Sequence, residues 1–149
     1  MSAEVIEPAP NTRALNECDT NADTCCLGKN FIISQYTTRS ADVYAYDKSY
    51  EPIENVPIVT GMTAYDDDAT GQTYILVFHE ALYYGNKLDH SLINPNQLRN
   101  YGIKVNDNPY DKSNNLGIIA NDEVLIQMHT RGTKIQFGTR VPATQELHK

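Results

Sequence analysis

The chain has 149 residues, 40% of them hydrophobic and 21% charged, which suits one folded domain and excludes a wholly disordered chain. Its formal net charge of −7, from 12 Lys and Arg against 19 Asp and Glu without a basic stripe, opposes phosphate-backbone binding, so no direct nucleic-acid partner is expected. No apolar run approaches the roughly 20 residues of a membrane span, and the polar, acidic start with Pro8 and Pro10 lacks the features of a signal peptide, so the expected setting is cytoplasmic, as a protein or a piece of a larger one.

In chain order, residues 1–12 read as a flexible N-terminal arm, 13–139 as one domain, and 140–149, with Pro142, as a flexible polar tail. Strands are predicted over residues 14–18, 31–34, 41–46, 56–65 and 73–84, then 92–93, 117–120, 124–129 and 134–139. These stretches are rich in Val, Ile, Tyr and Thr, which suit a pleated surface. Val124, Ile126 and Met128 alternate with Leu125 and Gln127, and Ile135 and Phe137 with Lys134 and Gln136, the period of half-buried strands. The run Asp66-Asp67-Asp68-Ala69-Thr70-Gly71 reads as a solvated hairpin turn rather than a metal site. One short helix interrupts the strands. Asn94 is a good N-cap, Pro95 fits the first helical position, Gly102 fits the position past the end, and Leu98 and Tyr101 share a face. The pattern predicts an all-β barrel-like or sandwich domain.

Cys18, Cys25 and Cys26 are an odd set that does not make a disulfide framework. Zinc would need a further ligand from His79, His90 or His129, and no C-x-x-C or H-x-x-x-H spacing supports it, so free thiols and no metal or cofactor are expected. Tyr44, Tyr46, Tyr74, Tyr83 and Tyr84 fall in predicted strands and read as packing residues. His79 reads as a cross-strand residue rather than a base, and no phosphate loop or Ser-His-Asp arrangement is visible.

The segment with chemistry to offer begins where residues 14–18 run into Asp19-Thr20-Asn21-Ala22-Asp23-Thr24. A strand here delivers a carboxylate into a loop of small or hydrogen-bonding residues, which suits the mouth of a cleft. On residue types alone, a turn held by Asx-type hydrogen bonds is the better reading of Asp19-Thr20-Asn21. The loop resembles the D-[ST]-G-A-D active-site loop of retropepsin-type aspartic proteases, and its continuation through Cys25-Cys26-Leu27-Gly28-Lys29-Asn30-Phe31 resembles the protease segment of Copia-like retrotransposon polyproteins. Downstream, Glu80-Ala81-Leu82-Tyr83-Tyr84-Gly85 followed by Ser91-Leu92-Ile93-Asn94-Pro95-Asn96-Gln97-Leu98 is similar to the "VLYVPGL…NLLSVSQL" stretch of those polyproteins.

The resemblance runs roughly from residue 14 to 102, more weakly beyond, and implies a retropepsin-like, closed barrel-type half with one short helix over residues 13–139, completed by a twofold homodimer. It implies that Asp19 is catalytic and that Thr20 braces the paired loops across the dimer. Ala22 would line the cleft, and Asp23 would hold substrate backbone and the dimer contact. Asn21 departs from the usual glycine of the active-site loop. One chain carries one such loop: neither Asp68-Ala69-Thr70-Gly71 nor Asp89-His90-Ser91 makes a second, so the partner aspartate would come from another copy. The implied activity is an aspartic endopeptidase that cuts an extended peptide or its own polyprotein. The alternative is an inactive retropepsin-like domain serving as a dimerisation or peptide-binding module. Residues 47–55, with Pro52, are the favoured flap over substrate, and residues 66–71 the other candidate.

Overall fold

The computed structural model describes residues 9–20, 22, 24–43, 53–121 and 123–148. The strands are β1 (Arg13–Cys18), β2 (Cys26–Gly28), β3 (Ile32–Val43), β4 (Ile53–Asp66), β5 (Thr73–Gly85) and β6 (Ser91–Ile93). Helix α1 (Pro95–Asn100) follows, then β7 (Lys104–Asn106), β8 (Gly117–Ala120), β9 (Val124–Gln127), β10 (His129–Arg131) and β11 (Lys134–Arg140). The protein is mostly β-sheet, as its composition of β-branched and aromatic runs predicts.

Eight strands form one sheet in the order β10-β11-β1-β6-β2-β5-β4-β3, and β7-β8-β9 form a second sheet of three. A pairing of Arg140 with Ala64 joins β11 to β4, so β11, β1, β6, β2, β5 and β4 make a closed ring. β6 lies between β1 and β2, parallel to the first and antiparallel to the second. The segment between β1 and β2 therefore leaves the sheet and returns across the end of β6. The ring encloses Leu27, Phe31, Val59, Tyr83, Ile93 and Phe137, all buried, with Phe31 and Phe78 in an edge-to-face contact at 5.3 Å.

Strand ends differ from the expectation for local reasons. Residues 31–34 and 41–46, expected as two strands, belong in part to the single long β3, whose exposed Ser34, Gln35 and Tyr36 are tolerated because β3 is an edge of the sheet. Residues 124–129 divide at Met128: β9 pairs with β8, β10 pairs with β11, and Met128 N donates to Leu116 O at 2.9 Å between them. The three-residue strands β2 and β7 are too short to show a period of two, so no pattern marks them as strands. Helix α1 forms where capping predicted it, with Asn94 Oδ1 accepting from Asn96 N at 2.9 Å and Gly102 at φ +82 past its end.

Two polar devices lie within this apolar frame. Asn16, Asn30, Thr63, Ser91 and Thr139 are all buried and bonded to one another. Asn30 Nδ2 donates to Asn16 Oδ1 and to Thr139 Oγ1, each at 2.8 Å, Ser91 Oγ donates to Asn30 Oδ1 at 2.6 Å, and Thr63 Oγ1 donates to Thr139 Oγ1 at 2.6 Å. Gly28 N donates to Ser91 Oγ at 2.8 Å, and Asn16 Nδ2 to Thr139 Oγ1 at 2.9 Å. The network thus joins β1, β2, β4, β6 and β11. Among the described residues no buried side-chain nitrogen or oxygen lacks a partner.

The second device is Arg140. Its guanidinium meets Asp66 at 2.8 and 2.9 Å and Glu146 at 2.7 and 2.8 Å, a paired fork on each side. These bonds hold Asp66 well below the usual carboxylate range and bring Glu146 down to about 2. Arg140 ends β11, and Thr144–His148 form a 3-10 turn tethered to it through Glu146, which also accepts from Ala143 N at 2.8 Å. This ion pair spans six positions, and composition alone does not reveal it.

Candidate active site

The loop that follows β1 is set by contacts to β6 and α1. Asp19 N donates to Ile93 O at 2.9 Å, continuing the parallel ladder in which Cys18 faces Ile93. Asn94 is bound twice over: besides capping α1, its Nδ2 donates to Ala22 O, and its backbone N donates to Cys25 Sγ at 3.3 Å. Gln97 closes the far end of the loop, with Oε1 accepting from Cys25 N at 2.7 Å and from Thr24 Oγ1 at 2.8 Å. Both segments of the resemblance therefore meet: the loop of residues 19–25 is bolted to the strand-and-helix stretch of residues 91–97.

Asp19 and Ala22, both half-buried, line a cleft of about 790 Å³. Its floor is a row of side chains laid across adjacent strands. Ile58 faces Leu82, Leu82 faces Cys26, and Cys26 faces Leu92, and all of them line the cleft. Arg39, Ala41, Asp42 and Val43 of β3 form one wall, and Thr24 and Glu80 lie in the lining too. Arg39 and Glu80 form an exposed ion pair at 3.5 Å. A cleft with an apolar floor and a carboxylate, bordered by the edge strand β3, can accept an extended chain through alternate side chains.

Thr20 is exposed at the turn next to Asp19. Asn21 and Asp23 lie outside the described residues, as do residues 47–52 of the favoured flap. What the structure does place is the β3–β4 hairpin that carries this segment, with β3 bordering the Asp19 cleft. The other flap candidate, residues 66–71, is a tight turn closed by Asp67 N to Gln72 O and Gly71 N to Asp67 O, both 2.8 Å, with Gly71 at φ +72. Its Asp66 and Asp68 line a different cavity, with Arg13, His90 and His129.

The cysteines take different positions. Burial pushes the Cys18 thiol up to about 12 and the Cys25 thiol up to about 11, so both stay protonated and poor as nucleophiles at neutral pH. Cys26 is half-buried on the cleft floor. Among the described residues no three His, Cys, Asp or Glu gather in a metal-binding group, and no helix is long and apolar enough to cross a membrane.

Sequence reasoning saw Asn94 as a helix cap and missed that its side chain also holds the loop. It placed Gln97 and Glu80 within the similar downstream stretch but assigned neither a role. Glu80 is a non-glycine residue at φ +54, where two residues, His79 and Glu80, oppose Thr60 of β4. This is a β-bulge, and its carbonyls accept from Gln97 Nε2 at 3.4 Å (His79 O) and 3.0 Å (Glu80 O). The available signal was the break in alternation of β5, where exposed His79 and Glu80 stand side by side between Phe78 and Ala81. No protein-family model, curated protein or solved structure matches the chain.

Proposed function

We propose that the protein is a homodimeric aspartic endopeptidase of retropepsin type that processes a retrotransposon-type polyprotein. The observation that carries this reading is the fastening of the Asp19 loop, through Ile93, Asn94 and Gln97, to the strand-helix segment that the resemblance pairs with it, at the mouth of an apolar-floored cleft.

The chemistry follows from having two carboxylates and no more than one proton between them. Hydrolysing an amide with water needs a base to take a proton from water and an acid to give one to the carbonyl oxygen. Two carboxylates about 3 Å apart cannot both ionise, so such a pair is acid and base at once. Each chain brings one Asp19, and a twofold axis beside the loop supplies the other. Thr20, exposed at the turn, faces solvent in the single chain and would brace the second loop in the dimer. Ala22 narrows the cleft, Asp23 holds substrate backbone, and Asn21 takes the position where the resemblance has glycine. Substrate lies extended over Ile58, Leu82, Cys26 and Leu92, covered by the β3–β4 hairpin.

Asn21 also supports a second reading, an inactive retropepsin-like domain that dimerises or holds peptides. Its amide adds bulk where two loops would approach each other. A cleavage assay separates the two readings. A randomised, internally quenched peptide pool and a longer precursor are offered to the parent and to Asp19→Asn at mildly acidic pH, across a dilution series. Cleavage by the parent alone, with specific activity falling on dilution, is the expected result. Equal cleavage by Asp19→Asn removes the catalytic assignment, and a folded dimer that cuts nothing leaves the binding module.

A further inference from the structure

The loop after Asp19 has a single polar side chain at its far anchor, and that side chain belongs to neither the loop nor the cleft floor. Gln97 uses both halves of its carboxamide. Oε1 takes Cys25 N at 2.7 Å and Thr24 Oγ1 at 2.8 Å, while Nε2 gives to Glu80 O at 3.0 Å and His79 O at 3.4 Å. One planar group therefore ties three elements together: the loop, the helix and the bulge of β5. Thr24 Oγ1 also lies 3.1 Å from Glu80 O, so that carbonyl is shared between loop and amide. The bulge is costly. A left-handed glutamate costs on the order of 1–2 kcal/mol, and Glu80 adopts it at the place where its carbonyl meets these donors. Backbone strain of this kind is retained where surrounding contacts over-determine it.

We propose that Gln97 is a positioning residue for the Asp19 carboxylate, fixing the return of the loop at Thr24 and Cys25 so that Asp19 keeps one place in the cleft. The proposal rests on the reading of Asp19 as catalytic. It needs an amide in particular, because the loop side requires an acceptor and the bulge side requires a donor. Leucine matches the size and supplies neither. Glutamate supplies both only when protonated, since its ionised form turns an oxygen toward Glu80 O with no hydrogen between them. Ionisable groups near such a carboxyl are His79 and Glu80 on β5, Tyr101 after the helix, the Cys25 thiol, and Arg39, which pairs with Glu80. Against Glu80 and Arg39 together, the new carboxyl should titrate not far from the ordinary glutamate value of about 4.3.

The test compares the full chain with Gln97→Leu and Gln97→Glu, using the best-cut sequence from the peptide pool and amide hydrogen exchange at Cys25. For Gln97→Leu, kcat should fall about 10- to 100-fold with little change in KM, since a displaced group costs turnover rather than binding, and Cys25 should lose its amide protection. For Gln97→Glu, kcat relative to the parent should be near one at the acid end and fall as pH rises through the carboxyl's titration. A general loss of stability would not produce that pH-dependent ratio. Parental kcat, pH profile and Cys25 protection in both variants would overturn the proposal. If parent and Asp19→Asn alike leave peptide uncut, the catalytic reading fails by itself. Exchange then decides the rest: a Cys25 amide still protected in Gln97→Leu overturns the positioning role.

Discussion

Asn30 is the hub of the buried polar network, and replacing it with alanine tests whether that network holds the ring together. The side chain of Asn30 is fully buried, and its Oδ1 is the acceptor for Ser91 Oγ at 2.6 Å while its Nδ2 serves Asn16 Oδ1 and Thr139 Oγ1. Thr139 keeps its bonds from Asn16 and Thr63 when Asn30 is cut back. Asn16 Oδ1 loses its donor and the Ser91 hydroxyl loses its acceptor, keeping only the bond from Gly28 N, and both residues are buried. Each orphaned group costs about 1–3 kcal/mol, so Asn30→Ala should lose about 4 kcal/mol. That is a large share of the roughly 5–15 kcal/mol of an ordinary domain. Urea unfolding followed by circular dichroism reads this as a midpoint lowered by roughly 2 M at unchanged slope. Ser91→Ala orphans Asn30 Oδ1 and Gly28 N and should cost about 4 kcal/mol by the same reckoning. The double variant should be less damaging than the two single losses added, by about 1 kcal/mol or more, because one bond is counted in both. Losses under about 1 kcal/mol in both single variants, or strict additivity, would refute the account.

Two further outcomes follow from the frame. Glu146 and Asp66 are both held below their ordinary values by Arg140, so they stabilise the fold above about pH 4.5 and lose that contribution as pH falls towards 2 for Glu146 and lower still for Asp66. Arg140→Met should cost about 2 kcal/mol at neutral pH and flatten the stability profile in that acid window, and urea midpoints that still fall as steeply as the parent's would refute it. At Gly61, an added Cβ would sit 2.3 Å from Leu27 Cδ1, which is fully buried and has no room to yield, so Gly61→Ala should cost about 2 kcal/mol and lower Tm by roughly 4–8 °C in a calorimetric scan.

The sequence disclosed what repeats or caps. Runs of Val, Ile, Tyr and Thr located β4 and β5, and alternation located β11, to within two residues or so at most ends, while Asn94-Pro95 with Gly102 located α1. Strand pairing was another matter. Nothing in Ser91-Leu92-Ile93 says that it fits between β1 and β2, because three residues carry no period and partner choice is set by distant chain. The polar network escaped for a related reason: Asn16, Asn30 and Thr139 each look like ordinary strand-end or turn residues until the ring brings them together. At the candidate site the letters of the loop were legible. Its scaffold was not, since Gln97 reads as one more polar residue on a short helix and Glu80 as one more charge on a strand.

The placement of β6 between β1 and β2 also sets an order of events as the chain is made. β1 and β2 are neighbours in sequence, yet each takes a partner from residues 91–93. An emerging chain that has reached residue 85 can fold the β3–β4–β5 antiparallel unit from local hairpin contacts, while the Asp19 segment has nothing to rest on. Ile93, Asn94 and Gln97 then arrive nearly together and fasten the loop within a few residues of synthesis. Ring closure waits longer still, for residues 134–140 to cover β1 and reach Ala64. Long-range pairing of this sort is slow and leaves strand edges bare in the interval. A ribosome-bound chain is therefore unable to assemble the Asp19 cleft until some seventy residues past the loop have left the exit tunnel.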